Sequence, residues 1–247
     1  MGHYISNLRD IEFNLFEVLN RQDVLGHGPF EHTDVEMAHD VLAQVDRLAR
    51  EDIAESFEAD DRKTTVYDPE ARTVTVAEGM KKAYRTWMDA GFWSLGMREE
   101  IGGQRARSSL VWAMSELVLG SNPAVYMYNM GTAFSAILNN LATDEQKKIA
   151  RLMVEKEWNA TMVLTEPDAG SDVGAGKTKA FQQDDGTWHI EGVKRFITSG
   201  DHDLSENIIH LVLARPVGVE GVGGPGTKGL SLFIVPKYHF DWDTGEL

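Results

Sequence analysis

With 247 residues, 42% hydrophobic and 26% charged, the chain can bury a substantial core as one large domain or two smaller ones, which argues against global disorder. Its 24 basic residues against 39 acidic ones give a formal net charge of −15, the wrong sign for a phosphate backbone, so nucleic acid is excluded as a general partner. The chain has no Cys, which excludes disulfides, thiolate nucleophiles and Cys-based zinc or iron–sulfur sites. The start, Met1-Gly2-His3-Tyr4-Ile5-Ser6, carries neither a basic nor an apolar leader segment. No later stretch approaches the roughly 20 apolar residues of a membrane span. A cytoplasmic protein with no integral membrane segment is expected.

Apolar residues then return at intervals of three and four, the period of amphipathic helices. Leu8, Ile11, Leu15, Val18 and Leu19 form one stripe; Val41, Leu42, Val45, Leu48, Ala49 and Ile53 form a longer one, opened by a capping box at Thr33-x-x-Glu36. A second box, Thr75-x-x-Glu78, opens a helix through Met80, Ala83, Tyr84, Trp87 and Met88 that stops at Gly91. Leu110, Val111, Met114, Leu117 and Val118 mark the next helix. After Pro123, the even apolar stretch from Ala124 to Leu141 predicts a buried central helix. A third box, Thr143-x-x-Gln146, starts a helix ending near Trp158.

Beyond Ala160 the period changes to two and β-branched residues increase. Strands are predicted at Thr161–Thr165, Lys177–Gln182, Trp188–Ile197, Ile208–Arg215 and Leu230–Pro236, with Asp185-Gly186 as a hairpin turn and a mobile glycine-rich connection over Val217–Gly229. Gly221–Gly226 lacks a following helix and is interrupted by Pro225, so it reads as a loop rather than a nucleotide motif. Asp201-His202-Asp203 reads as a polar turn, and no metal is expected. The fold class is α+β: an all-helical domain over 1–158, then an incomplete, barrel-like antiparallel β-domain over 159–247.

The segment that points to chemistry is Leu164-Thr-Glu-Pro-Asp-Ala-Gly-Ser-Asp172, a strand opening into a loop where Gly170 lets a large planar or phosphorylated ligand approach the main chain. By residue type alone it also fits an ordinary Asp/Gly/Ser turn. The segment resembles the T-E-P-x-A-G-S-D signature of FAD-dependent acyl-CoA dehydrogenases. Ala90-Gly91-Phe92, Glu99-Glu-Ile-Gly-Gly103, Thr143-Asp-Glu-Gln-Lys147 and Val193-Lys-Arg-Phe-Ile-Thr-Ser-Gly200 match further family segments in the family's order. The long start before residue 75 resembles the enlarged bacterial subgroup, which acts on medium or long acyl-CoA or on methylthio-propionyl-CoA.

The resemblance implies FAD as cofactor, with Met162, Leu164 and Thr165 beside the flavin ring, Gly170 and Ser171 at the pyrophosphate or the substrate thioester, and Phe196 packed on the flavin. Thr198 would assist flavin N5, where a hydrogen-bond donor stabilises charge developing on reduction; a β-branched residue merely suited to a strand is the plain alternative. Met127, Met130, Ala133 and Phe134, with Tyr126, would line an acyl-chain tunnel or serve as ordinary core. Lys177, Lys179, Lys194 and Arg195 could meet the phosphates of CoA or form solvated strand faces.

The implied reaction is oxidation of the Cα–Cβ bond of a fatty acyl-CoA to a 2-enoyl-CoA, as in fatty acid β-oxidation, with an electron-transferring flavoprotein as acceptor and a dimeric or tetrameric homo-oligomer as the assembly. The family's catalytic Glu lies in a carboxyl-terminal helical domain, so no catalytic base is expected here and the chain alone is expected to be inactive. Glu99, Glu100 and Glu166 read as solvated or turn-stabilising carboxylates. Alternatives are a flavin-binding short subunit of a heteromeric dehydrogenase, and an acyl-CoA oxidase or flavin mono-oxygenase on the same scaffold.

Overall fold

A computed structural model describes residues 3–247; Met1 and Gly2, the first two residues of the start that lacks a leader pattern, lie outside the described residues. The chain divides into two compact units, one running to Glu157 and taking in His202–Glu206, the other made of Trp158–Asp201 and Asn207–Leu247.

The helical unit contains α1 (Leu8–Glu12), α2 (Val35–Leu48), α3 (Ala54–Asp61), α4 (Glu78–Asp89), α5 (Ser108–Ser121), α6 (Pro123–Ala133), α7 (Ser135–Leu141) and α8 (Lys147–Glu155), with a short exposed hairpin, β1 (Val66–Asp68) and β2 (Thr73–Thr75), between α3 and α4. The stripe predicted over 41–53 is real: Ala38, Val41, Leu42 and Val45 are buried on α2. A π-helical turn over Ala49–Ile53 joins α2 to α3. The wider turn sends the Ala54 N–H to the Ala49 carbonyl, which also accepts from the buried Ser121 hydroxyl. Asn122 donates to Ser56 at 2.8 Å, and Ser56 donates to the Ile53 carbonyl at 3.0 Å, so the polar groups at this helix junction are paired. Around it pack Leu42, Ile53, Trp87, Met88, Leu110 and Leu117, each worth about 1.5–3 kcal/mol of apolar burial.

Helix starts were the least legible feature. Asp34, one residue past the predicted cap, accepts from the Met37 N–H, while Thr33 is buried. Thr75 lies in β2 and caps nothing, since α4 begins after Ala77 without a side-chain cap. The third box holds: Gln146 N–H donates to the Thr143 hydroxyl at 3.3 Å, and Thr143 N–H donates back to the Gln146 side chain at 3.1 Å. Gly91 ends α4 as predicted, in the left-handed region at φ 74° that its lack of a Cβ permits. The first stripe breaks at a π turn over Phe13–Val18, leaving Val18 and Leu19 about half exposed, at 52% and 50%.

The sheet unit holds β3 (Asn159–Val163), β4 (Lys179–Gln182), β5 (Trp188–Glu191), β6 (Ile208–Val217) and β7 (Ser231–Pro236). The expected antiparallel barrel is instead an open, mixed five-stranded sheet. Long β6 is its spine. It pairs parallel with β3 over 208–212, parallel with β4 over 215–217, and antiparallel with β7 over 209–214. The β4–β5 hairpin turns at Gly186 as predicted, with Gln183 N–H donating to the Thr187 carbonyl at 2.9 Å. The predicted strand to Ile197 stops at Glu191.

Trp87 is wholly buried. Replacing it with Ala is expected to lower the free energy of unfolding by about 3–5 kcal/mol, read as a lower midpoint in chemical denaturation with an unchanged slope.

Candidate functional site

Strands β3 and β4 follow one another along β6, so residues 164–178 leave the sheet and return to it. This excursion is the signature segment. Glu166 and Ala169 close its first turn through paired backbone hydrogen bonds of 2.9 and 3.2 Å.

The Glu166 side chain, 6% exposed, organises the rest of the excursion. Its carboxylate accepts from the backbone N–H groups of Lys177 at 2.6 Å and Thr178 at 3.0 Å, and from Lys194 Nζ at 3.0 Å. Burial pushes its pKa up, but the two N–H donors and Lys194 outweigh that and hold it down to about 2. Glu166 is therefore the turn-stabilising carboxylate of the two readings offered by sequence, and it is not solvated. Glu99 and Glu100 are exposed.

Lys194 also donates to the Leu164 carbonyl at 2.9 Å, and Arg195 N–H donates to the Thr165 carbonyl at 2.9 Å. Two segments thirty positions apart are thus stitched together. Just before the stitch, Gly192 lies against Thr178, where a Cβ would fall 2.3 Å from the Thr178 hydroxyl and 2.9 Å from the Thr178 Cα. Lys194, with a side chain 13% exposed and already engaged, leaves the basic set considered for phosphates; Lys177 is exposed and paired with Asp168 at 2.9 Å.

Past this stitch the chain adopts an unusual backbone. Phe196 and Ser199 have φ of 58° and 55°, and Gly200 N–H closes a turn onto the Ile197 carbonyl at 3.2 Å. The Phe196 side chain is turned outward, 81% exposed, under the Arg195 guanidinium 4.9 Å from the ring centre. Thr198 is exposed, while Met162, Leu164 and Thr165 are partly buried. Gly170 and Ser171 are exposed in the same excursion; a Cβ on Gly170 would make only ordinary contact with Thr165 at 3.9 Å, so packing within the chain does not require glycine there.

The structure therefore brings Leu164 and Thr165 to the backbone that leads into Phe196 and Thr198. Sequence reasoning missed the agent, Lys194: nothing in its local pattern marks a partner at Glu166. Arg215 was missed as well. Its guanidinium donates to the Gly174 carbonyl at 2.9 Å, the Gly226 carbonyl at 3.2 Å and the Gly224 carbonyl, clasping the glycine-rich connection expected to be mobile.

The four candidate tunnel residues lie in the helical unit. Val125, Asn129 and Thr132 are the buried face of α6; Met127, Met130 and Ala133, with Phe134 just beyond, follow the opposite face, with Met127 45% exposed. The predicted single buried helix is thus two helices, with Met127 and Ala133 exposed and Met130 and Phe134 partly buried. The Tyr126 hydroxyl accepts from Ser115 at 2.9 Å.

Around residues 201–203, Asp201 pairs with Lys237 at 2.6 Å, His202 is buried and accepts from Leu204 N–H at 3.1 Å, and Asp203 accepts from Val76 N–H at 3.0 Å and pairs with Lys81 at 2.8 Å.

Residues 161–243 match the family described as acyl-CoA dehydrogenase, middle domain. Over all 247 residues the chain is 56% identical to a broad-specificity linear acyl-CoA dehydrogenase of Mycobacterium tuberculosis, covering 100% of this chain and 40% of that protein. Residues 161–243 belong to the acyl-CoA dehydrogenase middle-domain family. A 3-methylmercaptopropionyl-CoA dehydrogenase of Ruegeria pomeroyi is 35% identical across 95% of this chain and 39% of its own length. The chain thus spans about 40% of the length of these curated relatives. An acyl-CoA dehydrogenase of Bacillus anthracis solved in complex with FAD shares the fold, with a TM-score of 0.59 and 20% identity over 83% of this chain and 31% of that one.

Glu166 lends the folded state stability that is fully present above its unfolded pKa near 4.5 and is lost as the pH falls toward about 2. Glu166→Gln is expected to cost about 3 kcal/mol at pH 7, and the gap from the parent protein to narrow steadily between pH 5 and pH 2.5 in urea titrations.

Proposed function

We propose that this chain provides the helical and middle portions of an FAD-dependent acyl-CoA dehydrogenase of the cytoplasm. The complete protein would oxidise the Cα–Cβ bond of a fatty acyl-CoA to the 2-enoyl-CoA in β-oxidation. When bound, FAD supplies the acceptor for the hydride that leaves Cβ. The observation that carries the reading is the joining of Leu164 and Thr165 to the backbone entering Phe196 and Thr198.

The residues present fit a planar, phosphate-bearing group. An aromatic ring held outward at Phe196 suits stacking on a flat ring system, and the exposed Thr198 hydroxyl offers a donor beside it for flavin N5. Met162, Leu164 and Thr165 form the partly buried strand end on which the ring would rest. Gly170 and Ser171 provide a glycine that chain packing does not require and a hydroxyl free to meet the pyrophosphate or the thioester end of the substrate. On α6, the apolar face of Met127, Met130, Ala133 and Phe134 would line the acyl chain, where flexible and small side chains accommodate a linear hydrocarbon.

None of Glu99, Glu100 and Glu166 is suited to act as the base. Glu166 is locked by three donors, and Glu99 and Glu100 stand in a surface 3-10 turn. The family's base would come from the part of the relatives that this chain does not cover, and electrons would pass to an electron-transferring flavoprotein. A dimeric or tetrameric homo-oligomer is proposed for the complete protein.

Titrating the purified protein with FAD, followed by flavin fluorescence and by the absorption spectrum after desalting, tests the reading. Saturable binding with a perturbed flavin spectrum is expected. Thr198→Val and Ser171→Ala should each weaken it by up to about tenfold, the worth of one hydrogen bond, and Thr198→Val should also lower the flavin reduction potential. Absence of binding by the unaltered protein would overturn it.

A further inference from the structure

We infer that Glu166 and Lys194 are positioning residues: with the Arg195–Thr165 backbone bond they form a clasp that forces Phe196 into a left-handed backbone and so presents its ring to a planar ligand before the ligand arrives. The inference rests on the proposed flavin binding and says how that surface is built.

Phenylalanine at φ 58° is a costly choice, because its Cβ crowds the following carbonyl, and such residues persist only where the surroundings over-determine them. Phe196 gains nothing from burial, since its side chain is 81% exposed, and its described ring contact is with the adjacent Arg195 guanidinium. A turn closed by Gly200 N–H on the Ile197 carbonyl follows it, and the bonds that tie it to the signature segment come from the residues before it. Lys194 is fixed by Glu166 at 3.0 Å and by the Leu164 carbonyl at 2.9 Å, and Arg195 by the Thr165 carbonyl at 2.9 Å. Glu166 is itself fixed by two backbone N–H groups at the return of the excursion. The direction of the chain at Phe196 is therefore set on both sides of the signature loop.

A side chain that is strained and solvent-facing is a poor structural investment. It makes sense as a preformed wall, where the ordering cost is met during folding rather than on binding.

Three variants in the purified protein test this, read by amide hydrogen exchange at Arg195, thermal midpoint and FAD affinity. Lys194→Met and Glu166→Gln are expected to speed exchange at Arg195 at least tenfold and to weaken FAD binding at least tenfold. Phe196→Gly is expected to leave exchange at Arg195 unchanged and the thermal midpoint equal or higher, because glycine relieves the strain, while FAD binding still weakens. The clasp is refuted if both paired-residue variants keep parental exchange at Arg195 and parental FAD affinity. Its claim on Phe196 is refuted if Phe196→Gly lowers the midpoint as far as truncating a core residue does. If the unaltered protein binds no FAD, the flavin reading fails, yet exchange at Arg195 and the midpoint of Phe196→Gly still decide whether the clasp exists.

Discussion

A carboxylate taken almost wholly out of water must recover its lost hydration from fixed donors, and Glu166 does so with two backbone N–H groups and one ammonium. The donors come from two stages of the path: Lys177 and Thr178 where the excursion returns to the sheet, Lys194 where the chain leaves β5. Satisfying this one charge fixes both ends of the signature loop relative to the segment that carries Phe196 and Thr198. A neutral side chain of similar size would fill the space without specifying this arrangement, because it could not demand three donors at once.

The mixed sheet explains why such a loop can be long and still ordered. A parallel neighbour must be reached by a crossover, and between β3 and β4 that crossover is residues 164–178 running from one stretch of β6 to the next. Its two ends are anchored by ladder hydrogen bonds, its middle by Glu166, and its far turn by Arg215 through the Gly174 carbonyl. The same guanidinium holds the connection between β6 and β7. The groups proposed to face a ligand are thus carried on irregular backbone supported by strands, the usual arrangement for a preorganised site.

The legible part of the fold was set by local physics. Stripes such as Val41, Leu42 and Val45 survive because burial on one helical face is a short-range pattern, and the Asp185-Gly186 turn survives because its backbone demands a glycine. The Thr33 and Thr75 boxes failed because a cap depends on where the first turn begins, and a shift of one residue handed the role to Asp34. The exposed β1–β2 hairpin has no apolar face to announce it. At the site, resemblance picked out the two segments, but their contact is made by Glu166 and Lys194, a long-range pair with no local pattern. Alternation could not foresee that Phe196 leaves the strand conformation altogether, since only tertiary restraint makes that backbone tolerable. The central helix looked uniformly apolar, and its exposed Met127 and Ala133 show that apolarity alone does not say what covers a surface.

One topological detail bears on how the molecule is made. Five residues, His202–Glu206, belong to the helical unit although they follow β5 in the chain. Asp203 accepts the Val76 N–H and pairs with Lys81, and Leu204 packs against the helical core. During synthesis the helices emerge first, yet their unit lacks these partners until β3, β4 and β5 have also left the ribosome. A protease cut or an engineered boundary at Glu157 would separate the helices from a piece of themselves, so the two units are one unit in the order of their birth.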